Sequence, residues 1–247
     1  NSFCTLLVKE TRLTMMRSTG IALSRKVAVV LAGCGVYDGS EIHEATSVLI
    51  HLDAKRIAYD VYAPNIEQMH VLNHQAGKPA DGETRNVMVE SARIARGPVG
   101  DVATLKADGY GAIVFPGGFG VMKNLSTFAT EGGEGKVRTD VAAAIASFRA
   151  AEKPIAAACI APVLVAATVP GAKITLGAAD GDAQGLCRNL GANVVPCEVD
   201  SCVVDDALKI VTTPAYMCDV GPAKIYASIG SMIDKLEALL AVETVKQ

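Results

Sequence analysis

Pro154-Ile155-Ala156-Ala157-Ala158-Cys159-Ile160-Ala161-Pro162 is a short apolar strand that ends in a cysteine and turns at once into a helix. On so sharp a turn the apical side chain is pushed out of the sheet. The turn closes only if the residues two positions away are small, as Ala157 and Ala161 are. The N–H groups and dipole at the start of the following helix favour a thiolate, so the segment predicts a lowered pKa for Cys159. Free cysteine is also among the most buried residue types, and a buried structural thiol is the competing reading of this segment taken alone.

Outward from the elbow, apolar strands alternate with amphipathic stretches. Residues 26–32 form a β-branched run ending in Gly33. A helical stripe over 41–57 follows, with Ser40 as its expected cap. Residues 59–63 read as the second strand, 83–96 as a helix closed by Gly97-Pro98, and 112–115 as a buried strand running into Pro116-Gly117-Gly118-Phe119-Gly120. An Ala-rich helix over 137–151 leads into the elbow strand 155–158 and the elbow helix 160–168. Later strands are expected at 173–176 and 192–196, with a helix over 183–190 between them. A hairpin is expected around Asp205-Asp206, and Ile225, Ile229, Met232, Ile233, Leu236 and Leu240 mark a last amphipathic helix. Residues 65–82 hold turn signals and little periodicity. This order implies an α/β fold with a doubly wound parallel sheet in a single domain. Its ligand crevice should lie beyond the carboxyl ends of the strands, where the loops at 33–39, 116–120, 158–161 and 212–216 should converge.

Composition sets the outer limits. Half of the 247 residues are apolar but only 4% are aromatic, so the core is built from Ala, Val, Ile and Leu, as suits a parallel sheet covered by helices. A formal charge of −3 argues against a nucleic-acid partner, and no apolar run reaches the ~18–20 residues of a membrane span. Seven cysteines without a CxxC spacing suggest reduced thiols in a cytosolic or organellar compartment. The first 26 residues hold five Lys or Arg against one acid, Glu10. Residues 1–25 therefore read as a poorly ordered leader: either an organellar, mitochondrial-type presequence, or an extension upstream of a start at Met15 or Met16. The domain proper is 26–247, and a cytoplasmic location is the alternative.

Three loops carry a resemblance. Ile113-Val114-Phe115-Pro116-Gly117-Gly118, followed by Lys123-Asn124-Leu125-Ser126, together with the elbow, resembles the oxyanion loop and nucleophile elbow of the PfpI-like superfamily, which has the class I glutamine-amidotransferase, flavodoxin-like fold. Gly33-Cys34-Gly35-Val36-Tyr37-Asp38-Gly39-Ser40-Glu41-Ile42-His43-Glu44, Glu83-Thr84-Arg85-Asn86 and Val211-Thr212-Thr213-Pro214-Ala215-Tyr216-Met217 resemble its ElbB branch, the enhancing lycopene biosynthesis proteins, whose eukaryotic relatives are often mitochondrial. The similarity spans roughly residues 26–240.

The resemblance implies a cofactor-independent, glyoxalase III-like activity that converts glyoxal, a small reactive aldehyde, to glycolate. Cys159 would be the nucleophile. Of the two acids at the start of the first helix, Glu44 falls where the family's acid reaches the sulfur, with Glu41 as the runner-up; burial beside a thiolate would raise its pKa and suit it to proton transfer. Gly117 and Gly118 have no Cβ to block their N–H groups, and the N–H of Ile160 follows the nucleophile, so these three are the expected oxyanion donors.

All four histidines, His43, His51, His70 and His74, precede the elbow. A Cys-His-Glu glutaminase, which needs a later histidine, is therefore disfavoured, and an amidotransferase partner subunit with it; His43 remains a candidate accessory. A Gly33-x-Gly35-x-x-x-Gly39 run mimics a dinucleotide fingerprint, but the second strand ends without the acid that would bind a ribose, so no nucleotide cofactor is expected. His70 and His74 lack a glutamate at zinc-site spacing, so no metal is expected either. Cys34, between glycines on a crevice loop, is a candidate redox partner of Cys159. The competing function is a non-catalytic, redox-sensing protein whose Cys159 is oxidised. A homodimer is expected, with helix 41–57 as its contact because Leu49, Ile50 and Leu52 add apolar surface on the turns after Glu44.

Overall fold

The computed structural model describes residues 25–178 and 180–245, so the expected leader lies outside them except for Arg25. The first strand, β1 (Val27–Val30), shows the logic of the rest. Successive side chains of a strand point to opposite faces. Val27, Val29 and Leu31 enter one apolar cluster and Ala28, Val30 and Ala32 the other. A strand covered on both faces can therefore be apolar at every position, which is why its sequence shows no alternation.

The chain continues through α1 (Ile42–Ala54), β2 (Tyr59–Ala63), a small hairpin of β3 (Leu72–Asn73) and β4 (Lys78–Pro79), α2 (Val87–Ala95), β5 (Gly100–Asp101) and β6 (Ala112–Phe115). After two short helices, α3 (Gly120–Asn124) and α4 (Phe128–Glu131), come α5 (Thr139–Ala150), β7 (Ile155–Ala158), α6 (Pro162–Thr168), β8 (Lys173–Ile174), α7 (Asp182–Asn189) and β9 (Asn193–Val194). The chain then forms β10 (Val203–Asp205), β11 (Ile210–Thr213) and α8 (Pro222–Val245). Seven strands form the main sheet in the order β10-β11-β7-β6-β1-β2-β5. All neighbours are parallel except the β10–β11 hairpin. One face carries α5 and α6; the other carries α1 and α8.

Several sequence expectations need correction. The later strands β8 and β9 do not join the main sheet; they pair only with each other, in parallel. The edge strand β5 is two residues long, too short to show a period. The expected cap Ser40 does not cap α1: its hydroxyl accepts the Ala32 N–H at 2.8 Å, and Glu41 caps the helix by accepting the Glu44 N–H at 2.7 Å. The apolar surface credited to a dimer is core. Leu49 and Leu52 are buried beneath α8, whose Ile225, Ile229, Met232, Ile233, Leu236 and Leu240 are also buried, and of the three residues only Ile50 is exposed. The helix that covers α1 arrives from 170 residues downstream, so the periodicity of α1 alone cannot distinguish an intramolecular partner from a second subunit. Among the described residues no helix is long and apolar enough to cross a membrane.

Candidate active site

Parallel register brings the four strand-end loops to one edge. The Gly118 backbone lies so close to Glu41 N and Gly39 O that a Cβ there would collide with main chain, and its φ of +99° suits glycine. The Glu41 N–H donates to Gly117 O at 2.9 Å and the Phe119 N–H to Val36 O at 2.7 Å, locking the loops after β1 and β6 together. The Cys159 N–H donates to Thr213 O at 3.0 Å, which attaches the elbow to the end of β11.

At the apex, Cys159 has φ +59°, the left-handed region that a non-glycine side chain occupies only at a cost of about 1–3 kcal/mol. The turn is tight: the Ala161 N–H donates to Ala158 O at 2.9 Å, both alanines are fully buried, and Pro162 opens α6. The outcome is a cysteine with 8% exposure whose sulfur faces the N–H groups of Gly118 and Ile160 and the carboxyl of Glu44.

Glu44 projects from the first turn of α1 and is fully buried. Its Oε2 accepts the Gly117 N–H at 2.9 Å and its Oε1 the Tyr216 N–H at 3.1 Å. Burial pushes its pKa up to about 7, and the nearby Glu41 charge adds to the rise, while the Tyr216 and Gly117 N–H groups and the Cys159 thiol oppose it. The Cys159 thiol is not lowered as the helix dipole alone would have it. Burial, first, and the negative charge of Glu44 push it well above the ordinary thiol range, against the lowering effect of the Gly118 and Ile160 N–H groups. Near neutral pH the thiol therefore keeps its proton while Glu44 exchanges between carboxyl and carboxylate.

This arrangement sorts the candidate residues. Glu44, not Glu41, meets the thiol; Glu41 caps α1, 7% exposed, with its Oε1 3.7 Å from His43 Nδ1. Of the three expected oxyanion donors, Gly118 and Ile160 face the sulfur, whereas the Gly117 N–H is committed to Glu44. Gly117 is nonetheless required, because a Cβ there would strike Cys159 Cβ and Glu44 Oε2. His43 is exposed and pairs with Tyr216 Oη at 2.7 Å. Cys34 is half-buried, and its surroundings are Glu90, Arg93, Asp38 and Arg85; burial and Glu90 raise its pKa. No hydrogen bond links it to Cys159, and both are free thiols. His74 is occupied structurally, with Nε2 facing the Tyr37 N–H at 3.2 Å and Nδ1 the Leu72 carbonyl at 3.1 Å. Sequence reasoning assigns Tyr216 no role; what it gives Glu44 is a backbone N–H, which no residue type announces.

This parallel α/β sheet is the fold of the class 1 glutamine amidotransferase-like proteins, and a ThiJ/PfpI domain protein shares it. Within that class the chain belongs to the ES1 family. It is 46% identical over 220 residues, 85% of this chain and 82% of the relative, to human glutamine amidotransferase-like class 1 domain-containing protein 3, mitochondrial. It is 44% identical over 220 residues, with the same coverage, to the rat ES1 protein homolog, mitochondrial. Among solved structures, an isoprenoid biosynthesis protein with an amidotransferase-like domain from Ehrlichia chaffeensis superposes with a TM-score of 0.81 at 37% identity, covering 87% of this chain and 99% of that one. No protein-family model matches the chain. The mitochondrial names of the human and rat relatives support a mitochondrial location for this protein.

Proposed function

We propose that this protein is a cofactor-independent glyoxalase-type enzyme that converts glyoxal, or a closely related small α-dicarbonyl, to the hydroxy acid. The observation that supports this most is the Cys159–Glu44 pair: a cysteine at a strained backbone position and a buried carboxyl with a pKa of about 7 face each other beside two backbone donors. Glu44, as carboxylate, takes the thiol proton while the sulfur adds to one aldehyde carbon. The alkoxide of the resulting hemithioacetal takes up the Gly118 and Ile160 N–H groups. Glu44 returns its proton to that oxygen and, again a carboxylate, takes the proton from the hemithioacetal carbon and delivers it to the neighbouring aldehyde carbon, while the hydroxyl proton passes to the neighbouring oxygen. The adduct becomes a hydroxyacyl thioester by internal redox, without any external oxidant. Water cleaves the thioester, releasing glycolate and the thiol. The absence of a histidine after the elbow suits this chemistry, since the acid performs each proton transfer.

The test is glyoxal consumption and glycolate formation by wild type, Cys159→Ala and Glu44→Gln, in buffer without thiols or amines. Wild-type turnover lost in Cys159→Ala and reduced about 10²-fold or more in Glu44→Gln is the expected outcome. Equal rates in all three would overturn the reading, as would a wild type that only accumulates Cys159 sulfinic acid under mild peroxide and turns nothing over.

A further inference from the structure

Glu44 is held from two directions. One restraint, Gly117, belongs to a loop locked into the fold by backbone hydrogen bonds. The other, Tyr216, sits in a single 3-10 turn, Ala215–Met217, that follows β11 and leads into an irregular connection to α8. Something must keep that turn seated if its N–H is to stay on Glu44 Oε1. The same residue's side chain reaches across to α1, where its hydroxyl lies 2.7 Å from His43 Nδ1, with the rings 5.9 Å apart. His43 is next to Glu44 in sequence, so Tyr216 touches two successive residues of α1: the backbone of one residue on the carboxylate of the second, its hydroxyl on the ring of the first.

We propose that the His43–Tyr216 hydrogen bond is a clasp that seats the 215–217 turn on the first helix, making both side chains positioning residues for the Cys159–Glu44 pair. The inference deepens the reading of Cys159 and Glu44 as the reacting pair, but its test does not depend on which substrate they act on. The ionisable groups around Glu44 are Cys159 on the elbow, Glu41 on α1 and the Tyr216 phenol on the turn, and His43 stands against Glu41 and that phenol. Of the hydrogen bonds Glu44 receives, that from the Tyr216 N–H lowers its pKa most. A loosened turn weakens that bond, so Glu44 holds its proton more tightly and becomes an effective base only at higher pH.

The experiment measures the pH dependence of Cys159 alkylation by iodoacetamide, followed by mass spectrometry of the Cys159 peptide, in wild type, Tyr216→Phe, His43→Ala, His43→Gln and the Tyr216→Phe/His43→Ala double variant. Melting temperature confirms that each is folded. The acid midpoint should move up by about one pH unit in Tyr216→Phe and in His43→Ala, the shift expected when one hydrogen bond to a carboxylate is weakened. It should move no further in the double variant, because both changes open the same contact. His43→Gln, which keeps an acceptor for the phenol, should restore part of the shift. In parallel glyoxal assays at pH 7, Tyr216→Phe and His43→Ala should lose several-fold in kcat with little change in KM. An unmoved midpoint in Tyr216→Phe and His43→Ala, or shifts that add in the double variant, would overturn the clasp. If the midpoint shifts as described while wild type shows no glyoxal turnover, the clasp stands and the glyoxalase reading falls.

Discussion

Of the strand-to-helix connections that carry a cysteine, those after β1 and β7 make the sharpest contrast, and only the second brings an acid and two N–H groups to the sulfur. At the β1–α1 crossing, Cys34 lies between Gly33 and Gly35, both at positive φ, so the glycines absorb the turn's unusual backbone and the cysteine has none of it. Its neighbours are charged side chains of both signs. At the β7–α6 crossing the cysteine itself takes the left-handed conformation, at φ +59°, and two N–H groups and a buried acid converge on its sulfur. The difference teaches that the crevice edge of a parallel sheet is a common address and does not by itself make a nucleophile. The β1–α1 crossing contributes Glu44 to the other cysteine instead.

The sharpest way to break this contrast is at the backbone. Gly118→Ala would place a Cβ against the main chain of Glu41 and Gly39, in a conformation with φ +99°, where no flexible side-chain end can move aside. We expect a loss of about 3–5 kcal/mol in urea unfolding, together with loss of Cys159 reactivity. Cys34→Ala, in the other crossing, removes one half-buried thiol without altering the backbone, and should cost about 1 kcal/mol and leave turnover within about twofold. A Cys34→Ala variant as inactive as Cys159→Ala would show that the two crossings form one redox unit after all.

The next effect concerns the cost of burying Glu44. Its carboxyl pKa rises from an ordinary value of 4.5 to about 7 in the folded state. Between these values the folded chain binds a proton that the unfolded chain has released. Stability is therefore greatest below pH 4.5 as far as this group is concerned, falls as pH rises, and has lost about 3 kcal/mol once pH passes 7. Urea midpoints for wild type should decline from pH 5 to pH 8, and Glu44→Gln, which does not titrate, should show that decline much reduced. Identical slopes in the two proteins would mean that Glu44 is not the buried proton-binding group.

How much of this was legible in the sequence follows from the kind of signal each part leaves. β6 and β7 were readable to the residue because strands buried on both faces are unbroken apolar runs between punctuating residues. The elbow was readable because its backbone demands small neighbours. The six apolar residues of α8 were readable as a stripe, but what they cover was not, since contact between α1 and α8 is a tertiary fact. The pair β8–β9 looked like any other strands, because two residues of strand carry the same signature in a main sheet or outside it. At the site, residue type pointed to Glu44 and Cys159, whereas the roles of the Gly117 and Tyr216 N–H groups depend on main-chain direction, which side-chain chemistry does not encode. The lowered thiol pKa was a reading from the helix dipole alone. Burial beside an acid outweighs a dipole whose effect is about 0.3–1 kcal/mol at an exposed site.

The smallest expected effect separates the two acids of α1, three residues apart on one helix. Glu41 holds its helix by accepting the Glu44 N–H through Oε2, and its charge helps to hold the Glu44 pKa up. Glu41→Gln keeps an oxygen to accept that N–H, so the cap survives and the melting temperature should change little. What disappears is the negative charge. With it gone, ionisation of Glu44 becomes easier, its pKa falls, and the acid limb of Cys159 alkylation should move to lower pH by roughly half a unit. This is opposite in direction to the shift expected on opening the His43–Tyr216 contact, although all three residues lie within one turn of Glu44 or touch it. A Glu41→Gln limb that stays in place would reduce Glu41 to a helix cap, and one that moves up would mean that the amide disturbs Glu44 through the helix, not through charge.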